Sequence, residues 1–230
     1  MTRKNVIVIG AGASGMMAAG RAAERGANVT LLEKMDIPGR KLLISGKTRC
    51  NLTNAREMDD FMSMYGPNGR FLYSAFHRFF REDLLAFLQR YGVETKTERG
   101  GRIFPASDNA ADVVKTFEKY MTEFGVSLRT NTRVTCIRAE SDIVRGVETD
   151  NEFFPADAVI LATGGASYPA TGSTGDGCWL AANLGHKIVK LRPALVPLVV
   201  EEIERAKSMQ GVSLRNVRLT SFRCRAEEID

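Results

Sequence analysis

Apolar positions near the start of the chain first run together and then recur at helical spacing. Residues 6–9 are four consecutive β-branched apolar residues, which is typical of a strand buried on both faces of a parallel sheet. After a glycine-rich turn, residues 16–25 are small, alanine-rich and favourable for a helix. Gly26 predicts a left-handed cap, and residues 27–32 predict a second strand. The pattern predicts the opening strand–helix–strand unit of an α/β fold.

The turn between the first strand and the helix carries the spacing Gly-x-Gly-x-x-Gly at Gly10, Gly12 and Gly15. In this context Gly10 permits a tight turn, Gly12 lets the backbone approach a pyrophosphate, and Gly15 lets helix and strand pack closely. The helix start, around Ala13 and Ser14, offers free N–H groups and a positive dipole end to phosphate. The motif therefore predicts a dinucleotide site.

Glu33 ends the second predicted strand and lies 23 positions after Gly10, close to the offset of about 20 residues at which an acidic ribose ligand is found. A carboxylate there accepts hydrogen bonds from the 2′- and 3′-hydroxyls of an adenosine ribose and repels a 2′-phosphate. The site therefore suits FAD or NAD rather than NADP. The alternative is a structural glycine turn followed by a surface glutamate.

A loop rich in cations follows, over residues 34–54. Its five lysine and arginine side chains lie within sixteen positions, two glycines interrupt them, and no acid follows Asp36. We expect this loop to fold across the pyrophosphate and to supply compensating positive charge; the alternative is a solvated basic loop. The five cations are Lys34, Arg40, Lys41, Lys47 and Arg49.

Residues 57–155 predict helical and β-meander excursions from the main sheet. A helical region over 57–92 carries apolar residues that we interpret as core rather than as cofactor contacts, with His77 as a partly buried helix residue. A hairpin follows over 92–105, then a helix from Ala110 capped by residues 107–109, and then strands of a meander that ends near residue 155. The apolar residues in question are Phe71, Leu72, Phe76, Phe79 and Phe80.

A second strand that ends in glycines spans residues 156–165, so that another backbone segment approaches the ligand. The run 172–177 then opens an alanine-rich helix and offers a second anion or ribityl site. Asp176 either accepts hydroxyl hydrogen bonds or caps the helix, and Cys178 and Trp179 are interpreted as packing residues. Residues 195–200 and 217–224 predict strands of a further β-rich element.

Composition narrows the function classes. The net charge is +5 and the isoelectric point is about 9.1, but acids interleave the cations and no nucleic-acid motif is present. The four cysteines form no C-x-x-C pair, which argues against a zinc site and a disulfide framework. The chain has no long uncharged apolar stretch of the kind that predicts a membrane span. The first strand begins so early that it leaves no room for a signal peptide. We therefore expect a cytoplasmic protein with a small-molecule substrate, no nucleic-acid or membrane partner and no metal.

The motifs together resemble the BaiN/YhiN-like FAD-dependent oxidoreductases over essentially the whole chain. The resemblance implies a two-dinucleotide-type, Rossmann-like FAD domain with a parallel central sheet over residues 1–192 and the start of an inserted β-rich domain over 193–230. Family members carry a glycine-richer run before Arg-Cys-Asn than the Ser-Gly-Lys-Thr of residues 45–48. The motifs are those of the glycine turn with Glu33, residues 39–46, 49–54 (Arg-Cys-Asn-Leu-Thr-Asn), 101–105, 162–169 (Ala-Thr-Gly-Gly-Ala-Ser-Tyr-Pro), 174–177 and 193–198.

The same resemblance implies roles for individual residues. Glu33 holds the adenosine ribose, Arg40 and Lys41 lie along the cofactor, Val134 presents its backbone to the adenine, and Thr163 lines the FAD together with the next residue. No acid–base pair stands out, so no catalytic residue is assigned. The candidate cofactor-binding residues are Gly10, Gly12, Ala13, Ser14, Gly15, Glu33, Lys34, Arg40, Lys41, Asn51, Val134, Thr163, Gly164 and Gly165.

The expected activity is that of an FAD-dependent oxidoreductase, in which the flavin takes hydride from NAD(P)H and passes it to an unsaturated small molecule. Chains of the family are longer, and the resemblance implies that a later glycine-rich segment returns to the flavin ring. The alternative is therefore a truncated, inactive fragment that binds FAD or its ADP half. An NAD-only dehydrogenase would leave the cationic loop and the second glycine-ended strand unexplained.

Overall fold

The computed structural model describes residues 2–193, 200–212, 217–218 and 220. The chain divides into two compact units, Met1–Val189 and Lys190–Asp230. The strands predicted over 195–200 and 217–224 fall mostly outside the described residues. In the second unit the described residues include one helix, α8, given below.

The strands of the first unit are β1 (Asn5–Ile9), β2 (Asn28–Leu32), β3 (Thr53–Asn54), β4 (Thr95–Glu98), β5 (Arg102–Pro105), β6 (Ser127–Arg129), β7 (Val134–Glu140), β8 (Ile143–Thr149), β9 (Phe153–Pro155) and β10 (Ala158–Leu161). The helices of the described chain are α1 (Ala13–Glu24), α2 (Arg40–Ile44), α3 (Met58–Ser63), α4 (Gly69–Phe76), α5 (Arg81–Arg90), α6 (Ala110–Glu123), α7 (Asp176–Asn183) and α8 (Ile203–Ser208), with short 3₁₀ turns at Gly66–Asn68 and Pro169–Thr171.

The central sheet is parallel and has the order β10-β1-β2-β6. In register, Ile7 of β1 lies between Thr30 of β2 and Val159 of β10. From β1 the sheet grows on one side through β2 and β6, and β10 later adds to the other side of β1. The strand order therefore reverses at β1, which borders a topological switch point. The predicted α/β class with a parallel central sheet is confirmed.

The alternation of side chains along β1 supplies two cores, one on each face of the sheet. Val8 packs with α1 and α6 through Met16 and Phe117, whereas Ile7 and Ile9 pack in a second cluster. That second cluster also contains Leu32, Ile137, Val147 and Leu180, from β2, β7, β8 and α7. Burial on both faces explains the unbroken apolar run that predicted a parallel strand.

Helix α1 ends as predicted at Gly26, which adopts φ +90°. The Gly26 N–H donates to the Ala23 carbonyl at 2.8 Å, and the Ala27 N–H donates to the Ala22 carbonyl at 3.1 Å. This paired arrangement is a Schellman motif, which satisfies the last carbonyls of the helix. The cap directs the chain straight into β2, which fixes the position of Glu33 at the end of that strand.

Two antiparallel sheets flank the parallel one. The meander β7-β8-β9 covers one face, and the sheet β3-β5-β4 is a hairpin extended by the short strand β3. The predicted hairpin, the helix capped by Asn109 and the meander are all present, and the Asn109 side chain accepts from the Ala111 N–H at 3.0 Å.

The prediction that the aromatic residues of the helical region are core is wrong for part of the set. Phe76 and Phe80 pack edge-on against Phe61, but Phe71 is 88% exposed and Phe79 is also exposed. His77, predicted to be partly buried, is exposed. The segment contains three short helices, of which α3 and α4 pack mainly on each other, so only one face of each finds apolar neighbours.

Trp179, predicted to be a packing residue, is 55% exposed. It stands on the outer side of α7, which buries Leu180 instead.

Among the described residues, no helix is both long and apolar enough to cross a bilayer.

Candidate functional site

A cavity of about 440 Å³ opens at the carboxyl ends of β1, β2 and β10. Ligands of open parallel α/β sheets bind at this edge, beside the switch point. The wall is formed by the glycine turn, the end of β2, the loop that contains α2, the start of β7 and the segment before α7. The sheet topology therefore brings together segments that are far apart in sequence.

The three glycines of the turn have different surroundings. Gly10 has φ +100°, and a Cβ on it would lie 2.7 Å from the Ala162 carbonyl oxygen. A Cβ on Gly15 would lie 1.8 Å from the Gly10 carbonyl oxygen, so Gly15 sits under the turn and does not line the cavity. A Cβ on Gly12 would meet nothing within 4 Å. Gly12 thus leaves open space on the cavity side, where the first turn of α1 begins with no side-chain cap.

The Glu33 carboxylate is fixed by two backbone donors. Its Oε2 accepts from the Ala11 N–H at 2.6 Å, and its Oε1 accepts from the Met35 N–H at 2.9 Å. A carboxylate has about four acceptor positions, so two remain for a ligand in the cavity that Glu33 lines. Two adjacent hydroxyls, such as those of a ribose, match this arrangement.

Lys34 joins the end of β2 to the start of α7. Its Nζ lies 2.8 Å from Asp176 Oδ2 and donates to Thr174 Oγ1 at 2.6 Å. Burial alone raises the pKa of Asp176, but hydrogen bonds from Lys34 and Thr174 and the charges of Lys34 and Arg133 outweigh it and hold that pKa below its usual range. Helix α7 is capped by Gly175 with no side-chain cap, so the capping alternative for Asp176 is not observed. We call the Lys34–Asp176 pair the clasp.

Arg40 and Lys41 open α2 and line the cavity. Arg40 lies 3.7 Å from the exposed carboxylate of Asp36, and Lys41 Nζ donates to the Ser167 carbonyl at 2.7 Å. Gly39 precedes them with φ +71°, and a Cβ there would lie 2.8 Å from a Val114 methyl group. The start of α2 therefore contributes two cationic side chains to the cavity wall.

The predicted set of five cations is divided by the structure. Lys34, Arg40 and Lys41 line the cavity, whereas Lys47 and Arg49 do not. Lys47 is exposed, and Arg49 is paired with Glu98 of β4 at 2.8 Å. The part of the loop that faces the cavity therefore ends at Ser45 and resumes at Asn51.

The remaining predicted residues come from the loop after α2 and from distant strands. Asn51, Val134, Thr163 and Gly164 line the cavity, and Gly165 does not. The Gly165 carbonyl instead accepts from the Gly175 N–H at 3.1 Å. Of the fourteen candidates, twelve share the one cavity, and the exceptions are Gly15 and Gly165.

Sequence reasoning missed several lining residues, among them Met35, Thr132, Arg133 and Ser173. Thr132 and Arg133 adjoin Val134, so extending that assignment by two residues would have found them. The Thr132 N–H donates to the Glu33 carbonyl at 2.8 Å, a contact with no signal in either segment. Ser173 is buried, but its hydroxyl sits in a run whose pattern indicates only a glycine-rich turn.

The described residues provide a cradle for a dinucleotide and no metal centre. No group of three or more His, Cys, Asp or Glu side chains in the described part of the chain has the geometry to hold a metal ion. Cys50, Cys136 and Cys178 are free thiols, and burial raises the pKa of the Cys50 thiol. An open glycine at a helix start, an anchored carboxylate and two cations match the phosphates and ribose of a dinucleotide.

Known proteins support the same assignment. A family model described as HI0933-like protein Rossmann domain matches residues 4–228. The 3-dehydro-bile acid delta(4,6)-reductase of Clostridium scindens is 38% identical over 205 residues, which are 87% of this chain and 49% of that protein. The ribosomal RNA dihydrouridine synthase of Escherichia coli is 29% identical over 220 residues, which are 94% of this chain and 54% of that protein. The chain thus spans about half the length of these relatives.

Among solved structures, the open conformation of a flavocytochrome c3 fumarate reductase superposes with a TM-score of 0.58 at 22% sequence identity. The match covers 79% of this chain and 40% of that one. At this level of identity the likeness establishes the fold.

Proposed function

The chain belongs to the HI0933-like family of Rossmann-domain proteins. We therefore propose that it binds FAD and acts as an FAD-dependent oxidoreductase. The observation that carries the proposal is the Glu33 carboxylate, which is anchored by two backbone N–H groups and faces a cavity that also contains the open Gly12 turn. These are the two features that adenosine ribose and pyrophosphate require.

The chain's own residues bind and orient the cofactor. Glu33 would accept from the ribose hydroxyls, the N–H groups at the start of α1 would bind the pyrophosphate, and Arg40 and Lys41 would offset its negative charge. Val134 and Thr163 line the remaining walls. When bound, FAD supplies hydride transfer through its isoalloxazine ring, and the protein contributes position and local charge.

We further propose that the electron donor is NAD(P)H and that the substrate is a small molecule with a carbon–carbon double bond next to a carbonyl group. The names of the two relatives support this class. One describes reduction of the double bonds of a 3-dehydro bile acid, and the other describes formation of dihydrouridine, in which the double bond beside a uracil carbonyl has been reduced. Hydride addition to a polarised double bond is common to both.

A second candidate substrate is uridine within RNA. It is favoured by the Escherichia coli relative, which matches 94% of this chain. The small-molecule prediction is retained as the first candidate because the bile-acid relative is more similar, at 38% identity. If the chain binds RNA, its affinity for RNA should fall steeply as salt is added.

The first experiment is the visible absorption spectrum of the purified chain after incubation with FAD and desalting. We expect a retained flavin spectrum that is lost in Glu33→Ala and kept in Asp36→Ala, a matched control that removes an exposed carboxylate three residues away. A colourless wild-type protein would overturn the FAD proposal. The yellow protein is then assayed for oxidation of NADH or NADPH with a conjugated enone or a uridine oligonucleotide as the acceptor. If it retains FAD but oxidises neither donor, the result favours the alternative, an inactive FAD-binding fragment.

A further inference from the structure

The segment between α2 and β3 has an unusual backbone. Lys47, Thr48 and Cys50 adopt φ values of +58°, +66° and +62°, and Gly46 adopts +57°. Left-handed conformations are uncommon for residues other than glycine and are rarest for β-branched residues such as threonine. This strained segment, residues 46–50, is joined on both sides to residues that line the cavity, Ser45 and Asn51.

Backbone contacts hold parts of the strained segment. The Cys50 N–H donates to the Ser45 carbonyl at 3.0 Å, and the Ala110 N–H donates to the Thr48 carbonyl at 2.9 Å. A Cβ on Gly46 would lie 2.7 Å from the Asn51 nitrogen. The turn is therefore folded tightly against the start of the Asn51 segment, and Cys50 is buried at 2% exposure.

One side chain of the segment ties it to the neighbouring hairpin. The Arg49 guanidinium donates to Glu98 Oε1 at 2.8 Å and to Asp108 Oδ1 at 3.4 Å. Its Cζ also lies 4.1 Å from the centre of the buried Phe104 ring, and Lys96 pairs with the same Asp108. A planar, doubly paired and stacked guanidinium is more restrained than an isolated surface ion pair.

We propose that Arg49 is a positioning residue, which latches the strained segment to the β4–β5 hairpin and so presents Ser45 and Asn51 to the cofactor cavity. Arg49, Glu98 and Asp108 do not line the cavity themselves, so they act through the backbone. A strained conformation persists only where its surroundings determine it. Removal of the latch therefore lets residues 46–50 relax and moves both flanking residues.

The part of this proposal that concerns cofactor rests on the proposed function, so the test has two readouts. The first is backbone hydrogen exchange over residues 45–52 of the full chain without cofactor. The second is the FAD dissociation constant. The variants are Arg49→Met, Glu98→Gln and their combination. The matched control is Arg90→Met, because Arg90 pairs with Glu123 at 2.7 Å and stacks on Tyr91 at 5.3 Å.

We expect exchange over residues 45–52 to be at least about tenfold faster in Arg49→Met and Glu98→Gln, and unchanged in Arg90→Met. The FAD dissociation constant should rise by about tenfold or more in the same two variants. The combined variant should match the stronger single one, because both substitutions break one interaction. Arg49→Lys, which retains charge without the planar fork, should recover only part of the loss.

Unchanged exchange in Arg49→Met would overturn the latch, and faster exchange with unchanged FAD affinity would overturn its positioning role. A wild-type chain that fails to bind FAD would refute the proposed function and the positioning role together. The exchange readout without cofactor would then still decide whether Arg49 holds the segment. If Arg49→Met does not fold, Glu98→Gln and Arg49→Lys carry the same comparison.

Discussion

At the scale of single residues, the three glycines of the motif are required for different physical reasons. Gly10 and Gly15 have no room for a Cβ because backbone atoms lie within 3 Å of its ideal position, whereas Gly12 has open space and an ordinary φ of −79°. Alanine at Gly12 is therefore compatible with the fold. Its methyl group would occupy only the side of the turn that faces the cavity.

This difference predicts that Gly12→Ala separates binding from stability. We expect the free energy of unfolding to change by less than about 0.5 kcal/mol while FAD affinity falls by about tenfold or more, since the methyl group keeps the pyrophosphate from the backbone. Gly15→Ala should lower the unfolding free energy by about 1–3 kcal/mol through overpacking. Urea unfolding and flavin titration measure the two effects. A destabilised Gly12→Ala with unimpaired binding would contradict the assignment.

The clasp between Lys34 and Asp176 is a pair of residues that joins two elements, β2 and α7. The pKa of Asp176 is depressed in the folded state, so the pair contributes stability that is present above the unfolded pKa of about 3.9 and is lost as pH falls below it. We expect Asp176→Asn to cost about 1 kcal/mol at pH 7, with a smaller difference near pH 3. Urea unfolding at both pH values checks this; an equal difference at both would contradict it.

At the scale of elements, α1 packs on α6 through a small residue and a large one. A Cβ on Gly20 would lie 2.3 Å from the Tyr120 ring, and the Tyr120 hydroxyl donates to Glu24 Oε2 at 2.8 Å. Burial, and then the hydrogen bond to Glu24, raises the pKa of Tyr120 above its usual range. The interface therefore contains a phenol whose protonated form the folded state favours.

A group whose folded pKa is raised contributes stability that is complete below the unfolded pKa, about 10 for tyrosine, and that is lost as pH rises toward the folded value. We expect Tyr120→Phe to lower the unfolding free energy by about 1–2 kcal/mol at pH 8, and the deficit should shrink as pH rises above 10. Tyr73→Phe, at an exposed position, is the control. A deficit that does not change with pH would refute the role of the phenol.

Features that depend on neighbours in sequence could be predicted, and features that depend on packing between distant segments could not. The strand–glycine turn–helix unit and Gly26 cap depend on neighbours in sequence, so their prediction is confirmed. The exposure of Phe71 and the turn of Arg49 toward Glu98 depend on which segments pack together, and periodicity carries no such information. The left-handed backbone at Thr48 runs against the intrinsic preference of threonine, and the Thr48 carbonyl accepts from the distant Ala110 N–H, so neither feature has a signal in the local sequence.

At the scale of the molecule, every residue that lines the cavity lies at or before Leu180, and both described apolar clusters also lie within the first compact unit. We propose that the boundary between the FAD domain and the next domain falls at residue 192, close to the division of the chain between Val189 and Lys190. A domain with its own core folds by itself, so we expect the cavity to form without the segment beyond the boundary.

A chain ended after Arg192 should therefore retain the fold and the cofactor affinity of the full 230 residues. We expect thermal midpoints within about 2 °C and FAD dissociation constants within about threefold. A chain ended after Pro155 is the negative control, because it lacks β10, which pairs with β1 at the switch point, and it should not fold cooperatively. Loss of FAD binding in the 192-residue chain, with the full chain still yellow, would show that residues beyond 192 complete the site and that the proposed boundary is misplaced.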